Sequence, residues 1–246
     1  MREMRDMMGM PITVEVVDGG ADSIRAVFDY LKEIDERFST YKDTSEISRI
    51  NRGEIPEAEW SDEMREVFRF AENTKRETGG YFDIKRADAT IDPSGIVKGL
   101  AIRRAGLLLK QMECKNFFIE AGGDIESNGK NAEGQEWSVG IRNPFNTSEI
   151  VKVIYPKGDG VATSGSYERG NHIYDPHDPS RKLDEVVSIT VIGPDALEAD
   201  RFATAAFAMG RDGIRFIENI SGLEAYSIDS SGTATMTSGF ERFTSV

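Results

Sequence analysis

Asp200 and Thr204 stand four residues apart in a helical stretch, so a carboxylate and a hydroxyl share one face and can reach a single hard cation such as Mg²⁺. Their neighbours Ala199, Phe202, Ala203, Ala205, Ala206, Phe207 and Ala208 are apolar, which marks the helix as buried. A buried carboxylate needs a counter-charge, and a metal is one way to supply it. A second constellation is Asp92-Pro93-Ser94-Gly95-Ile96-Val97-Lys98-Gly99, a tight turn running into a helix start. Exposed amides there favour an anion, and Lys98 adds a positive charge one turn inside. The outline is that of a phosphate cradle without Walker spacing, and a plain helix cap fits the same residues. Ala121-Gly122-Gly123-Asp124 suits either a hairpin turn or the close approach of a flat ligand to bare backbone, with Asp124 as acceptor. Asn171-His172-Ile173-Tyr174-Asp175-Pro176 follows Ala162-Thr163-Ser164-Gly165 and offers His172 as a base or ligand contact. A hydrolytic Ser164, His172, Asp175 triad is disfavoured, because there is no nucleophile elbow and Asp175 is too near His172 in sequence. His177 reads as a solvated loop residue.

The elements that must position these residues mix both periods. Ile12 to Val16 alternates like a strand, then Ile24, Val27, Phe28, Leu31, Ile34 and Phe38 recur at helical spacing. Ser61 opens a helix that ends before Gly79-Gly80, and another runs from about Gly95 to Met112. Strands are predicted at 117–120, 137–141, 151–155, 186–192, 225–228 and 233–237. The helix after Pro194 has a capping-box spacing at Asp195 and Glu198 and a stop at Gly210. Helices interspersed with antiparallel runs predict an α+β fold, with residues 1–246 read as one domain.

The chain has 246 residues, 30 basic and 43 acidic side chains, two histidines and one cysteine. Cys114 cannot close an internal disulfide, and these counts cannot assemble the usual four-ligand zinc site. A metal here is expected to be a hard ion held by oxygen. A net charge of −13 without basic runs argues against nucleic acid as partner. Charges interrupt the N-terminus where a signal peptide would be apolar, and no stretch approaches membrane-span length, so a cytoplasmic location is expected.

Taken in order, several segments resemble the ApbE flavin transferases, which are FAD:protein FMN transferases. They are Met8-Gly9-Met10-Pro11, Phe38 to Tyr41 with Ser45 to Asn51, Thr78 to Asp83, Asp92 to Gly99, Ala121 to Asp124, Ala162 to Gly165, His172 to Pro176 and Asp200 to Thr204. The resemblance implies a T-fold-like α+β enzyme that binds FAD and Mg²⁺. It would move FMN onto a threonine hydroxyl of an acceptor flavoprotein and release AMP. Carried over, Asp200 and Thr204 are expected as Mg²⁺ ligands with backbone oxygen from Gly95 and Ala203. Lys98 is expected near the diphosphate and Asp92 on the FAD, while Met8, Tyr41, Tyr81, Phe82 and Asp83 line the flavin nucleotide. His172, with Ile173, is placed beside the FAD; His172 and Asp200 compete as the base that takes the threonine proton.

Two departures from the family pattern stand out. Only Ile84 to Ile91 separates Asp83 from the phosphate turn, where relatives carry a long insert, so a wall of the adenine or acceptor cleft is expected to be missing or rebuilt. The lipoprotein signal of many relatives is also not seen. Asp229 to Thr235 loosely resembles a flavinylation acceptor, though a terminal hairpin explains it equally well. The competing functions are FAD hydrolysis to FMN and AMP, and FAD binding without chemistry. Tyr41 near the flavin would exclude water and favour transfer.

Overall fold

The computed structural model describes residues 1–86, 88–166 and 173–245. Its strands are β1 (Arg2–Met7), β2 (Met10–Val16), β3 (Phe117–Ala121), β4 (Asp124–Asn128), β5 (Val139–Asn143), β6 (Asn146–Ile154), β7 (Gly160–Gly165), β8 (Val186–Gly193), β9 (Glu224–Asp229) and β10 (Ala234–Met236). Its helices are α1 (Ala21–Phe38), α2 (Glu46–Asn51), α3 (Asp62–Glu77), α4 (Ser94–Gln111), α5 (Ala196–Met209) and α6 (Gly213–Glu218). Eight strands form one antiparallel sheet in the order β1-β2-β3-β4-β7-β8-β9-β10, and β5 pairs with β6 in a separate hairpin. The fold is α+β, as the interleaved periodicities predict.

Period-two alternation decides which face each strand buries. Ile12, Val14 and Val16 of β2 and Phe117 and Ile119 of β3 pack under α1, α3 and α4. Ala162, Ile189, Val191 and Ala225 pack under α5 and α6. The opposite face carries Ile125, Val161 and Ile192, covered by Ile141 and Ile154 of the β5–β6 hairpin and by Phe240 and Phe243. No helix among the described residues is long and apolar enough to cross a membrane.

The predicted caps form: Ser61 Oγ accepts from Met64 N at 3.2 Å and Asp195 Oδ1 from Glu198 N at 2.9 Å. The box at Asp195 is only half closed, because the Glu198 carboxylate turns to Arg201. β1, β7, α2 and α6 are elements that the sequence pattern did not announce, whereas β4 follows from the hairpin turn read at Ala121 to Asp124. β1 is an edge strand of alternating exposed and half-buried residues, which gives little apolar signal. Asp229 to Thr235 forms the β9–β10 turn and edge, with Asp229 Oδ1 accepting from the amides of Ser231 and Thr233.

Candidate active site

The site begins where α4 crosses α5. A Cβ on Gly99 would stand 2.8 Å from the Ala196 carbonyl oxygen, 2.9 Å from Asp200 Cβ and 2.9 Å from Leu197 Cα. Only a residue without a side chain permits that approach. It lets Gly99 N–H donate to Asp200 Oδ2 at 2.9 Å, fixing a carboxylate that is 3% exposed. That amide is also the i+4 donor for the Gly95 carbonyl, so the carboxylate competes for it and leaves the Gly95 oxygen with spare accepting capacity.

Lys98, one residue earlier on α4, lies between two acids. Its Nζ is 2.8 Å from Asp124 Oδ2 and 3.7 Å from Asp200 Oδ1. Asp124, at the start of β4, is fully buried. Lys98 thus holds Asp124 through Oδ2, while Oδ1 accepts from Thr163 N at 3.4 Å. Burial, and then the Asp200 carboxylate, push Asp124 well above the usual carboxylate range against the pull of Lys98. Asp124 and Asp200 thus share Lys98 in a buried cluster of ionisable groups at the inner end of the cleft.

Asp200 and Thr204 line a cleft of about 90 Å³ that opens to solvent. Gly95 stands against Phe82 and Thr204: a Cβ there would meet Phe82 Cε2 at 3.0 Å and Thr204 Cγ2 at 3.6 Å. Opposite walls come from Thr163, Ser164 and Gly165 of β7 and from Gly122 of the β3–β4 turn.

The rim is built by a short hairpin between Asp83 and Asp92. Lys85 and Ile91 form an isolated bridge, and Asp92 N donates to the Ile84 carbonyl at 2.8 Å. Asn51 at the end of α2 clamps this hairpin, donating to the Ile91 carbonyl at 2.9 Å and accepting from Ile91 N at 2.8 Å. Asp92 Oδ1 accepts from Ser94 N at 3.1 Å and its Oδ2 pairs with Arg86. Asp83 pairs with Lys75 at 2.7 Å. A loop closes over the rim: His177 Nε2 donates to the Gly79 carbonyl at 3.0 Å, its ring meets Tyr81 edge-on at 4.6 Å, and Tyr174 Oη donates to Lys85 O at 3.4 Å.

The structure therefore brings Tyr81, Phe82, Asp83, Asp92, Gly95, Lys98, Ile173, Asp200 and Thr204 to one cavity. His172 lies outside the described residues. The structure does not bring Met8, Tyr41 or Ala203 to the cavity wall. Met8 and Gly9, with φ of 54° and 75°, form the two-residue turn between β1 and β2, and Met8 packs against the core under α1. Tyr41 is 97% exposed in the loop between α1 and α2. α5 runs unbroken across Ala203, which is fully buried in the core, so the opened turn needed to present its carbonyl is not formed. His177, expected to be merely solvated, instead ties the loop to Gly79. Asp175 is held by Arg181 and by His177 N, which removes it from any triad with Ser164. Arg86, Thr163 and Tyr174 line the cavity without a role assigned from sequence, and Asp124, read there only as a possible acceptor, proves to be the buried partner of Lys98.

A helix-on-sheet α+β scaffold with buried acids and a lysine at an open cleft defines a class of site suited to a charged ligand. The chain belongs to the ApbE family, whose profile matches residues 8–89 and 84–227. The match breaks at residues 84–89, inside the connection singled out above as short. The FAD:protein FMN transferase of Haemophilus influenzae is 30% identical over 167 residues, 63% of this chain and 48% of that protein. That of Escherichia coli is 31% identical over 159 residues, 61% of this chain and 45% of that protein. The aligned stretches thus span just under half the length of these curated relatives. Among solved structures, the flavin transferase ApbE of Vibrio cholerae superposes with a TM-score of 0.86 at 21% identity, covering 99% of this chain and 98% of that one. The ApbE protein of Thermotoga maritima gives 0.86 at 24% identity, covering 100% and 99%. Both likenesses concern the fold.

Proposed function

We propose that the protein transfers FMN from FAD to a threonine hydroxyl of an acceptor flavoprotein, with Mg²⁺, and releases AMP. The observation that carries this reading is the buried Lys98, Asp124 and Asp200 cluster beside Gly95 and Thr204 at an open cleft. The donor set fits a hard ion: it is all oxygen, a carboxylate and a hydroxyl with a backbone carbonyl nearby. Among the described residues no group of three or more His, Cys, Asp or Glu side chains is arranged for a metal, so the candidate ligands are the Asp200 carboxylate, the Thr204 hydroxyl and the Gly95 carbonyl. Bound there, Mg²⁺ would neutralise charge on the pyrophosphate.

In the proposed reaction the threonine oxygen bonds to the flavin-side phosphorus. The phosphoanhydride bond to the adenylate breaks, AMP departs with the bridging oxygen, and the hydroxyl proton passes to a base. Phosphoryl transfer asks mainly for positioning and charge neutralisation. Gly99 N–H and Lys98 hold Asp200 in place, and Phe82 against Gly95 walls the cleft. His172 and Asp200 are the two candidate bases for that proton.

A second reading, hydrolysis of FAD to FMN and AMP, gains from the exposure of Tyr41, because a side chain outside the cavity does not shield it from water. AMP measured with FAD and Mg²⁺, in the presence and absence of a flavoprotein acceptor, separates the two. Transfer predicts AMP release that depends on both metal and acceptor. Equal release without acceptor would establish hydrolysis, and no release in either case would overturn both readings.

A further inference from the structure

Lys98 and Arg86 are the cations that line the cleft among the described residues. They are differently engaged. Lys98 is 14% exposed and set between Asp124 and Asp200, so the protein's own buried carboxylates answer its charge. The Arg86 side chain is 47% exposed and pairs with Asp92 through Nη2. A guanidinium carries five N–H donors in a planar fork, so a contact at one nitrogen anchors the group while its other donors can meet a second anion. The guanidinium end of this pair is the exposed one, so a phosphate can share the arginine with Asp92.

The hairpin also sets where Arg86 can stand. Arg86 N donates to Thr90 O at 2.8 Å, Asn51 clamps Ile91, and Tyr174 reaches Lys85 O. The short connection thus fixes an arginine at the cleft wall, the place where the sequence led us to expect a wall missing or rebuilt. We propose that Arg86 is a phosphate-recognising residue that lets this cleft distinguish a nucleotide-bearing flavin from a bare one, an inference that rests on the reading of FAD as substrate.

The test compares wild type with Arg86→Gln and Arg86→Lys by calorimetric titration in Mg²⁺ buffer, using ADP as a phosphate probe, FAD, and riboflavin as a phosphate-free flavin. Arg86→Gln is expected to weaken ADP and FAD about tenfold while riboflavin changes less than about twofold, since a charge-assisted contact is lost on one probe set only. Arg86→Lys should recover part of the loss, and raising the ionic strength should shrink the difference. Unchanged ADP and FAD affinity, or a parallel loss for riboflavin that marks a merely structural role, would overturn the proposal. Arg86-dependent ADP binding in a protein that transfers no FMN would support it while refuting the transferase reading.

Discussion

The two ends of the cleft hold their charges in opposite ways. At the inner end Asp124 and Asp200 are 0% and 3% exposed, and a lysine, a helix amide and a strand amide fix them. At the rim Arg86 and Lys75, nearly half exposed, pair with the more buried Asp92 and Asp83 on a short hairpin and its clamps, so the exposed partner in each pair is the cation. Buried charges cannot be rearranged cheaply, so the inner end is suited to chemistry that needs fixed electrostatics. An exposed cation can take a second partner, which suits recognition of a ligand that must enter and leave.

The comparison breaks if the inner end tolerates change. Asp200→Ala should reduce AMP release from FAD by about 10²–10³-fold, the scale expected for removal of a fixed electrostatic group at a reacting centre. Retained activity would show that the reaction occurs elsewhere.

A second carboxylate on β4 sharpens the point. Glu126 is 4% exposed and accepts from Ala196 N at 2.8 Å, and burial pushes it from 4.5 up to about 7. Its folded value lies above its unfolded one, so its stabilisation is full below about pH 4.5 and is lost as pH rises through about 7. At about 1.4 kcal/mol per unit the loss is roughly 3 kcal/mol. Urea unfolding at pH 5 and pH 8 should show this loss in wild type and its disappearance in Glu126→Gln, which keeps the acceptor. Identical slopes would contradict the assignment.

Gly99→Ala should cost ~1–3 kcal/mol by overpacking the crossing of α4 and α5, again measured by urea unfolding, and should depress activity with it by displacing Asp200. Tyr41→Ala is the smallest case. At an exposed loop position it should change stability by less than about 0.5 kcal/mol, and a larger drop in unfolding midpoint would mean that the ring is packed.

Legibility in the sequence followed the range of the interactions. The Asp200 and Thr204 pair, the caps at Ser61 and Asp195 and the turn into α4 were readable because each depends on residues within one or two turns. Asp124 was read only as a possible acceptor at a glycine turn. The strand it opens, Asp-Ile-Glu-Ser-Asn, is largely polar, so nothing in the sequence marks its burial. His177 and Gly79 meet across 98 residues, and no local pattern announces such a contact. Arg86 gave no signal because a lone arginine in a turn normally reads as solvated. Met8 and Tyr41 came from family resemblance, whereas Ala203 was also read from its place between Asp200 and Thr204 on condition that the turn opened; a turn, a loop and an unbroken helix decide where the three lie.

The most direct test is a crystal structure of the protein with FAD and Mn²⁺, located by anomalous scattering as a stand-in for Mg²⁺. The account predicts a metal peak on Asp200 and Thr204, with the pyrophosphate at the Lys98 end of the cleft. A metal at Asp83 and Asp92 on the rim, or a pyrophosphate remote from Asp200, would contradict it.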